Sequence, residues 1–279
     1  MINIQNICFR YRRGRDLFEE LSLSLPKGSI CGLLGKNGEG KTTLLKLIAG
    51  SLIAKRGEIS VLGMPSSSRK PTLLQQVFLL PEIVSTPTIS VGKYLDTMGQ
   101  FYPRYDSRVA EEALRTLDVY KDMLLGRISQ GQQKKVAITL ALAVRTPLLL
   151  MDEPTNSLDI PSKAAFRQLM AKYMDSDQTV LISTHQVRDL ESMIDRIVML
   201  EQNRIVCNET IERLSQKFRF ALCKEENEAP LYSELTPMGT MGVYPSHEDC
   251  NMNEYFSIEL FFNGMISNPQ HFAEQLRKP

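Results

Sequence analysis

The sequence has few features that would support a fold held together by disulfides or metal ions. Its five cysteines are scattered along 279 residues, and none is spaced as Cys-x-x-Cys. Neither a disulfide framework nor a zinc site is therefore predicted. We expect Cys8 and Cys31, which lie in apolar strand-like segments, to be buried as small hydrophobic residues. This cysteine usage favours a reducing compartment, the cytoplasm.

The chain also lacks an excess of one charge and a long apolar run. Its 33 Lys and Arg residues are matched by 32 Asp and Glu residues, which argues against a broad nucleic-acid-binding surface and leaves room only for a small basic patch. The most apolar stretch, residues 136–151, is interrupted by Arg145 and Pro147 and is shorter than the roughly 20 residues that span a bilayer. Residues 1–10 do not resemble a signal peptide. Any membrane-embedded part is therefore expected in another chain.

Strand-like and helical segments alternate as far as about residue 215. Residues 21–25 alternate with period two, and residues 29–34 form the short apolar run of a strand buried on both faces. Further strands are predicted at 57–62, 76–80, 148–151, 179–183 and 196–200. Helices are predicted at 41–52, 90–101, 106–119 (with Asp106 as the N-cap), 130–145, 161–174 and 187–193. This order predicts an α/β fold with a largely parallel sheet and antiparallel strands at its start.

The pattern changes near residue 217. Short strands are predicted at 218–223, 231–235 and 240–244, a polar linker at 224–229 and an amphipathic helix at 253–265. We therefore divide the chain into a main domain, residues 1–216, and a small α+β appendage, residues 217–279. The apolar side chains of the appendage need a partner surface, which is either its own main domain or a dimer or regulatory contact. If the appendage is only peripheral, its deletion leaves a soluble protein.

The strongest motif is Gly35-Lys36-Asn37-Gly38-Glu39-Gly40-Lys41-Thr42, which matches the phosphate-binding pattern GxxxxGK[ST]. It follows an apolar strand and opens a helix, as the pattern requires, so an incidental glycine loop is a poor alternative. Glycines let backbone N–H groups approach phosphates, and the helix presents its positive N-terminus to the anion. We expect Lys41 to reach the β- and γ-phosphates of a nucleotide and the Thr42 hydroxyl to bind Mg²⁺. Thr43 is included in the predicted site.

A second motif follows the apolar run of residues 148–151. Asp152 and Glu153 are predicted at the carboxyl end of a buried parallel strand, where open α/β sheets bind their ligands. There Asp152 is placed to hold the nucleotide's Mg²⁺. Glu153 is placed to orient or deprotonate an attacking water. An acidic pair after a strand is common at solvated edges, and only its combination with the phosphate loop makes the prediction specific.

With these motifs the sequence resembles the ATP-binding subunits of ABC transporters over about residues 1–215. The most specific element is Ile128-Ser129-Gln130-Gly131-Gln132, which is similar to the family signature LSGGQ but has Ile for Leu and Gln for the first Gly. The resemblance implies that this helix start faces the γ-phosphate held by a second subunit. If this segment stood alone, an N-cap serine before an ordinary helix would be the favoured interpretation.

Other family elements occur in order. Ser157-Leu158-Asp159 resembles the D-loop, which in the family crosses the dimer interface. His185 resembles the switch histidine that contacts the γ-phosphate. Tyr11 resembles the aromatic residue that stacks on adenine, although a purely packing tyrosine is the alternative. Glu82 stands where the family usually has the glutamine of the Q-loop, and its carboxylate can bind Mg²⁺ or a water.

The resemblance implies a P-loop NTPase fold of the ABC type with an antiparallel β subdomain and a helical signature subdomain. It implies an ATPase that uses ATP and Mg²⁺, pairs with a copy or a paralogue, and drives a separate membrane permease from the inner face of the membrane. The short segment 82–125 is typical of exporters. Two alternatives are a soluble ABC ATPase that acts on ribosomes or DNA, and a regulatory module that no longer hydrolyses ATP. The sequence does not predict the transported substrate.

Overall fold

The computed structural model describes residues 1–12, 14, 16–84, 87–223, 229–237, 239–246 and 256–277. The strands are β1 (Ile2–Phe9), β2 (Phe18–Leu25), β3 (Ile30–Leu34), β4 (Arg56–Val61), β5 (Met64–Pro65), β6 (Val77–Leu80), β7 (Leu148–Asp152), β8 (Thr179–Thr184), β9 (Arg196–Glu201), β10 (Arg204–Thr210), β11 (Phe218–Leu222), β12 (Tyr232–Thr236) and β13 (Gly239–Pro245). The helices are α1 (Lys41–Ile48), α2 (Pro71–Leu74), α3 (Val91–Gly99), α4 (Ser107–Thr116), α5 (Gln130–Ala143), α6 (Ile160–Tyr173), α7 (Ile211–Lys217), α8 (Ile258–Ser267) and α9 (Pro269–Arg277).

The central sheet has the strand order β10-β9-β3-β8-β7-β6, and only β10 runs antiparallel to its neighbour. This confirms the predicted parallel sheet. Leu34 at the end of β3 pairs with Thr184 of β8, and Asp152 at the end of β7 pairs with Ser183 of the same strand. The carboxyl ends of these three strands therefore meet at one edge, where each is followed by one of the predicted motifs.

Strand β7 is buried on both faces, as its continuous apolar run predicts. Leu148 and Leu150 belong to the core that the sheet forms with the antiparallel strands and α1. Leu149 and Met151 belong to the core on the opposite face, which includes α5 and α6. Full burial of each such side chain stabilises the fold by about 1.5–3 kcal/mol. The strand is thereby fixed between two cores, which sets the position of Asp152 at its end.

The antiparallel sheet has the order β2-β1-β4-β5, which confirms the expected antiparallel strands at the start of the chain. The prediction for Cys8 is wrong, because Cys8 lies between the buried residues Ile7 and Phe9 and so points to the more open face of β1, where it is only partly buried. Cys31 is fully buried as predicted. Burial raises the pKa of its thiol to about 11.

Several predicted helices end earlier in the structure, and two predictions differ clearly from it. Helix α1 ends at Ile48 rather than at residue 52, because Gly50 adopts a left-handed φ of 70° and Ser51 N–H turns back to Lys46 O. The predicted helix 187–193 is wrong. It is a single 3-10 turn, Val187–Asp189, in which Leu190 N–H donates to Val187 O at 3.0 Å.

The appendage forms a small antiparallel sheet, β11-β13-β12, with α8 and α9 packed beside it. Its phenylalanines form a cluster, and ring centroids lie 5.2 Å apart for both Phe218–Phe261 and Phe218–Phe272. The same hydrophobic core continues into the main domain. The predicted linker 224–229 lies outside the described residues except for residue 229, and the predicted helix 253–265 is described only from residue 256, with α8 starting at Ile258. Helix α9, strand β10 and helix α7 were not predicted.

Candidate functional site

The phosphate loop connects β3 to α1. Gly40 is the residue before α1, with a left-handed φ of 97° and no side-chain cap for the helix. A Cβ atom at Gly40 would lie 2.7 Å from the ring of Phe18, so conformation and packing both require glycine. Because no side chain caps the first turn of α1, its N–H groups remain available for an anion.

Lys41 is buried, and its ammonium donates to Gly35 O at 2.7 Å and to Lys36 O at 3.1 Å. Burial lowers the pKa of Lys41, while the neighbouring carboxylates of Glu153 and Asp152 oppose that shift. Gly35 and Lys36 therefore contribute to the loop by holding the lysine with their carbonyl groups.

Glu39 differs from the rest of the loop. Its Oε2 atom accepts a hydrogen bond from Asn203 N–H at 2.9 Å, in the turn between β9 and β10. The side chain thus connects the phosphate loop to the turn between β9 and β10 at the nearer edge of the sheet. Any contact of Glu39 with a phosphate is left to its backbone N–H.

A cavity of about 580 Å³ opens beside this loop. Its lining includes residues from all the predicted motifs of the main domain except the signature and the D-loop. The lining residues are Tyr11, Gly14, Leu17, Asn37, Gly38, Gly40, Lys41, Thr42, Thr43, Glu82, Asp152, Glu153 and His185. Of the predicted phosphate-loop residues, Gly35, Lys36 and Glu39 do not line it.

The acidic pair is fixed by hydrogen bonds from β8. Ser183 Oγ donates to Asp152 Oδ1 at 2.5 Å, and Glu153 N–H donates to Ser183 O at 3.1 Å. Glu153 itself has a left-handed φ of 45°. His185 Nδ1 lies 2.8 Å from Glu153 Oε1. The end of β8 thereby orients both carboxylates and brings the histidine against the second.

The other carboxylate oxygen of Glu153 is different. Glu153 Oε2 is buried and has no hydrogen-bond partner within the part of the chain that the structure describes. Buried polar atoms are seldom left unpaired, and such an exception needs a reason. Because Glu153 lines the cavity, a water or another donor that enters the cavity can satisfy this oxygen.

The donor set fits Mg²⁺. Glu82, Asp152 and Glu153 supply carboxylates to the cavity and Thr42 supplies a hydroxyl, and oxygen ligands are those that Mg²⁺ prefers. Among the described residues, no group of three or more His, Cys, Asp or Glu side chains forms a metal site by itself. Mg²⁺ usually binds in proteins through one or two carboxylates together with waters and substrate phosphates.

Lys134 is a site residue that the sequence analysis missed. Its buried ammonium donates to Pro81 O at 2.9 Å, to Glu82 O at 3.0 Å and to Asp152 O at 3.3 Å. Burial lowers the pKa of Lys134 to about 8, although Asp152, Glu82 and Glu153 oppose the shift. No signal in the sequence distinguishes Lys134 from its neighbour Lys135. The Glu82 side chain in turn accepts from Asn156 Nδ2 at 3.3 Å.

The signature segment begins α5 with a capping box. Gln132 N–H donates to Ser129 Oγ at 3.2 Å, and Ser129 N–H donates to Gln132 Oε1 at 3.1 Å. Gln130 lines a second cavity of about 500 Å³, together with Glu82, Asn156, Ser157 and His185. A Cβ atom at Gly131 would lie 2.8 Å from Ser157 O. The signature therefore packs against the D-loop and stays outside the cavity of its own phosphate loop.

The remaining predicted residues have clear structural surroundings. Leu158 is buried, and Asp159 caps α6 by accepting from Ser162 N–H at 2.9 Å. This hydrogen bond lowers the pKa of the Asp159 carboxyl. The half-exposed Tyr11 hydroxyl lies 2.9 Å from Thr43 Oγ1, and its ring meets Phe9 edge-on with centroids 5.0 Å apart.

A phosphate loop between a central parallel strand and a helix, with an acidic pair at the end of a strand in the same sheet, defines a nucleoside triphosphate hydrolase. The family model described as ABC transporter matches residues 18–156. YtrB, an ABC transporter ATP-binding protein of Bacillus subtilis, is 31% identical over 209 residues, which are 74% of this chain and 70% of YtrB. The chain belongs to the ABC transporter family, as one of its ATP-binding and ATP-hydrolysing subunits.

Other similar proteins include transporter subunits named for opposite directions. The SkfA peptide export ATP-binding protein SkfE of Bacillus subtilis is 27% identical over 212 residues, which cover 74% of this chain and 87% of SkfE. The zinc uptake system ATP-binding protein ZurA of Listeria monocytogenes is 28% identical over 221 residues, which cover 74% of this chain and 84% of ZurA.

A solved dimeric ATP-binding cassette, in a post-hydrolysis state with ADP and phosphate, has the same fold. Its TM-score is 0.66 at 22% identity, and the match covers 76% of this chain and 99% of the cassette. ATPase domains of this family dimerise and work with a transmembrane partner. In the described ranges of this chain, no helix is both long enough and apolar enough to cross a membrane.

Proposed function

We propose that this chain hydrolyses MgATP with Glu153 as the general base and His185 as the contact to the γ-phosphate. The backbone N–H groups of the loop residues that line the cavity, from Asn37 to Thr43 without Glu39, and the Lys41 ammonium bind the phosphates. Glu153 takes a proton from the attacking water, and His185 stabilises the charge on the transferred phosphoryl group. Tyr11, which also lines the cavity, stacks on adenine.

One observation carries this proposal. Glu153 has one oxygen paired with His185 and a second, buried oxygen without a partner in the described structure. A general base needs a fixed carboxylate with a free acceptor toward the water it activates. Glu153 meets both conditions in the cavity that the phosphate loop lines.

Mg²⁺ completes the site. Thr42, Asp152 and Glu82 would hold it, directly or through water, and it would neutralise negative charge on the β- and γ-phosphates. The carboxylate of Glu82 adds negative charge that the amide of a glutamine would not. Neutralisation of charge by the bound cation is therefore more important in this site than in one with glutamine at this position. The nearby ammonium of Lys134, 3.0 Å from Glu82 O, offsets part of that charge.

The complete site takes residues from two subunits. We propose that a second copy of this chain supplies Ser129, Gln130, Gly131 and Gln132 to the γ-phosphate, and that Ser157, Leu158 and Asp159 cross the interface. Support comes from the dimeric cassette with the same fold and from the signature's position outside the cavity of its own loop. The alternative is that a paralogue takes the place of the second copy. The mass of the protein in solution with and without MgATP distinguishes the two cases.

We further propose that residues 1–216 form the ATPase domain and that residues 217–279 form an appended unit. Two such ATP-binding subunits together drive a separate permease from the cytoplasmic face of the membrane. The short segment 82–125 favours export, and a protein named for peptide export, SkfE, is among the similar proteins. Transport assays in inverted vesicles that contain the permease test the direction, since ATP-driven accumulation inside such vesicles indicates export. Nothing in these relatives supports an action on ribosomes or DNA.

The variant Glu153→Gln tests the proposed base. Because an amide cannot accept the proton, turnover should fall by about 10²–10⁴-fold, with ATP affinity retained. The matched control is Glu58→Gln, an exposed residue of β4. Steady-state phosphate release and binding of a fluorescent ATP analogue are the two measurements. If Glu153→Gln hydrolyses ATP at the rate of the wild type, Glu153 is not the general base.

A further inference from the structure

Helix α8 of the appendage lies against the segment that carries His185. We call residues 184–191 the switch segment. It contains the 3-10 turn Val187–Asp189 and ends close to the start of α8. The appendage thus contacts one of the elements that line the nucleotide cavity.

Two polar contacts join α8 to the switch segment. Glu191 Oε1 accepts a hydrogen bond from Ile258 N–H at 2.6 Å, so a switch residue satisfies an N–H of the first turn of the helix. Arg188 Nε donates to Glu259 Oε2 in the same turn. This ion pair raises the pKa of the Arg188 guanidinium. Side chains of the switch segment therefore hold the first turn of α8.

An apolar side chain of α8 lies nearer to the site. Phe262, one turn after Ile258, lines a cleft of about 220 Å³ together with Gly35 and Asn37 of the phosphate loop and His185 of the switch segment. One side chain of the appendage therefore faces both elements that would handle the γ-phosphate.

Helix α8 is itself rigidly attached to the appendage. Phe261 is fully buried, and its ring lies 5.2 Å from that of Phe218 and 5.7 Å from that of Phe272. A Cβ atom at Gly264 would lie 2.4 Å from the Phe272 ring, which shows how closely α9 packs on α8. Because close-packed aromatic clusters do not deform freely, α8 moves only with its unit.

We propose that α8 is a positioning element for His185, in which Glu259 and Phe262 act through the switch segment to set how His185 meets Glu153. The inference rests on the proposed roles of Glu153 and His185. The histidine is half-exposed and is held at 2.8 Å from Glu153 Oε1. The backbone of His185 continues into the switch segment, which α8 holds by the two polar contacts of Glu191 and Arg188, while Phe262 lines the cleft beside the histidine.

A charge exchange in the full chain tests the proposal. Glu259→Arg places two like charges together and should lower kcat by about tenfold, because displacement of a site residue by about 1 Å is costly. The KM for ATP should stay within about twofold, since the phosphate loop keeps its own contacts. Adding Arg188→Glu to the same chain restores an opposite-charge pair and should restore kcat to within about threefold of the wild type.

The charge exchange distinguishes an effect on the position of His185 from an effect on the stability of the fold. Arg188 is exposed and Glu259 is partly exposed. Such pairs contribute little to folding, so the melting temperature should hardly change. The matched control is Glu274→Arg, an exposed residue of α9 in the same unit, which should keep the kcat of the wild type. Phe262→Ala serves as a second variant, with the same expected split between kcat and KM.

Two outcomes would overturn the proposal. One is that Glu259→Arg and Phe262→Ala both turn over at the rate of the wild type. The other is that the charge exchange fails to restore kcat. Glu153→Gln and His185→Ala are measured alongside. If these two variants are active, the proposed catalytic roles fail; if they are inactive while the α8 variants are silent, only the positioning role of α8 fails.

Discussion

Ser183 and Lys134 hold the acidic pair from two sides. The serine hydroxyl bonds Asp152 Oδ1, and the lysine ammonium bonds the backbone carbonyls of Asp152 and Glu82. Neither residue belongs to the pair or to the phosphate loop. Their effect is to fix the end of β7, so that Glu153 presents its unpaired oxygen in one orientation. Fixed positioning of the reacting groups supplies much of the rate acceleration by enzymes.

Lys134→Met should change how stability depends on pH. Burial lowers the Lys134 pKa to about 8 in the folded chain, whereas an unfolded lysine titrates near about 10.4. Between these values the unfolded state binds more protons, so the stability of the wild type rises with pH relative to the variant, and this gain is lost as the pH falls through about 8. Urea unfolding at pH of about 7.5 and 9.5 measures it.

The control for this experiment is Lys135→Met, which removes the adjacent ammonium that makes none of the three contacts of Lys134. A difference in unfolding free energy between the wild type and Lys134→Met that does not change with pH would contradict the prediction.

The same residues show what the sequence could predict about the site. Gly40, Lys41, Asp152 and Glu153 were predicted because each motif is continuous along the chain and its chemistry depends on local spacing. The contact from Lys134 to Asp152 spans 18 positions and that from Ser183 to Asp152 spans 31. Such pairs become visible only when the order of strands in the sheet is known.

Two roles are assigned to Ser129 at the start of the signature helix. Ser129 caps α5, which is sufficient to explain its presence, and it is also the residue proposed to face a nucleotide on the second subunit. The two roles make different demands on charge. A cap needs an acceptor at the N-terminus of the helix, whereas a γ-phosphate contact tolerates no added negative charge.

Ser129→Asp and Ser129→Asn are therefore a matched pair. Asp and Asn both cap helices about as well as Ser, so both variants should melt near the temperature of the wild type. Only Ser129→Asp should lose ATP turnover, because its carboxylate repels the γ-phosphate. Thermal unfolding and phosphate release are measured for each. Equal turnover in the two variants would favour the plain cap.

Helix and strand boundaries were predicted well where one face is apolar and a cap is local. Asp106 caps α4 as predicted, by accepting from Arg108 N–H at 2.9 Å. The prediction failed at residues 187–193, where Lys163 of α6 donates to Asp189 at 2.6 Å and α8 holds the segment from the other side. Tertiary contacts there override an apolar pattern that favours a helix.

The main domain and the appendage share one hydrophobic core. Phe218, Phe261 and Phe272 of the appendage belong to the same cluster as Leu190 and Leu214 of the main domain. Of the two partner surfaces considered for the appendage, this packing favours its own main domain. A surface this apolar, once uncovered, would be exposed to water or to other chains.

Deletion of residues 217–279 should consequently destabilise the remaining chain. The deletion uncovers side chains of the main domain that belong to the shared core, such as Leu190 and Leu214. Full burial of each such side chain contributes about 1.5–3 kcal/mol, which is a sizeable part of a typical domain's stability of about 5–15 kcal/mol. Thermal unfolding and the soluble fraction after expression are the measurements, with the full chain as the reference. A truncated chain that stays soluble and melts at the temperature of the full chain would show that the shared core is not needed.

The most direct test of the account is the mass in solution of Glu153→Gln with and without MgATP, measured by light scattering. Blocking hydrolysis should trap the state in which two copies of this chain enclose ATP between phosphate loop and signature. We predict that the mass doubles on addition of MgATP and that Ser129→Asp in the same background abolishes the change. A mass that remains that of one chain, with ATP bound, would contradict the pairing of two copies.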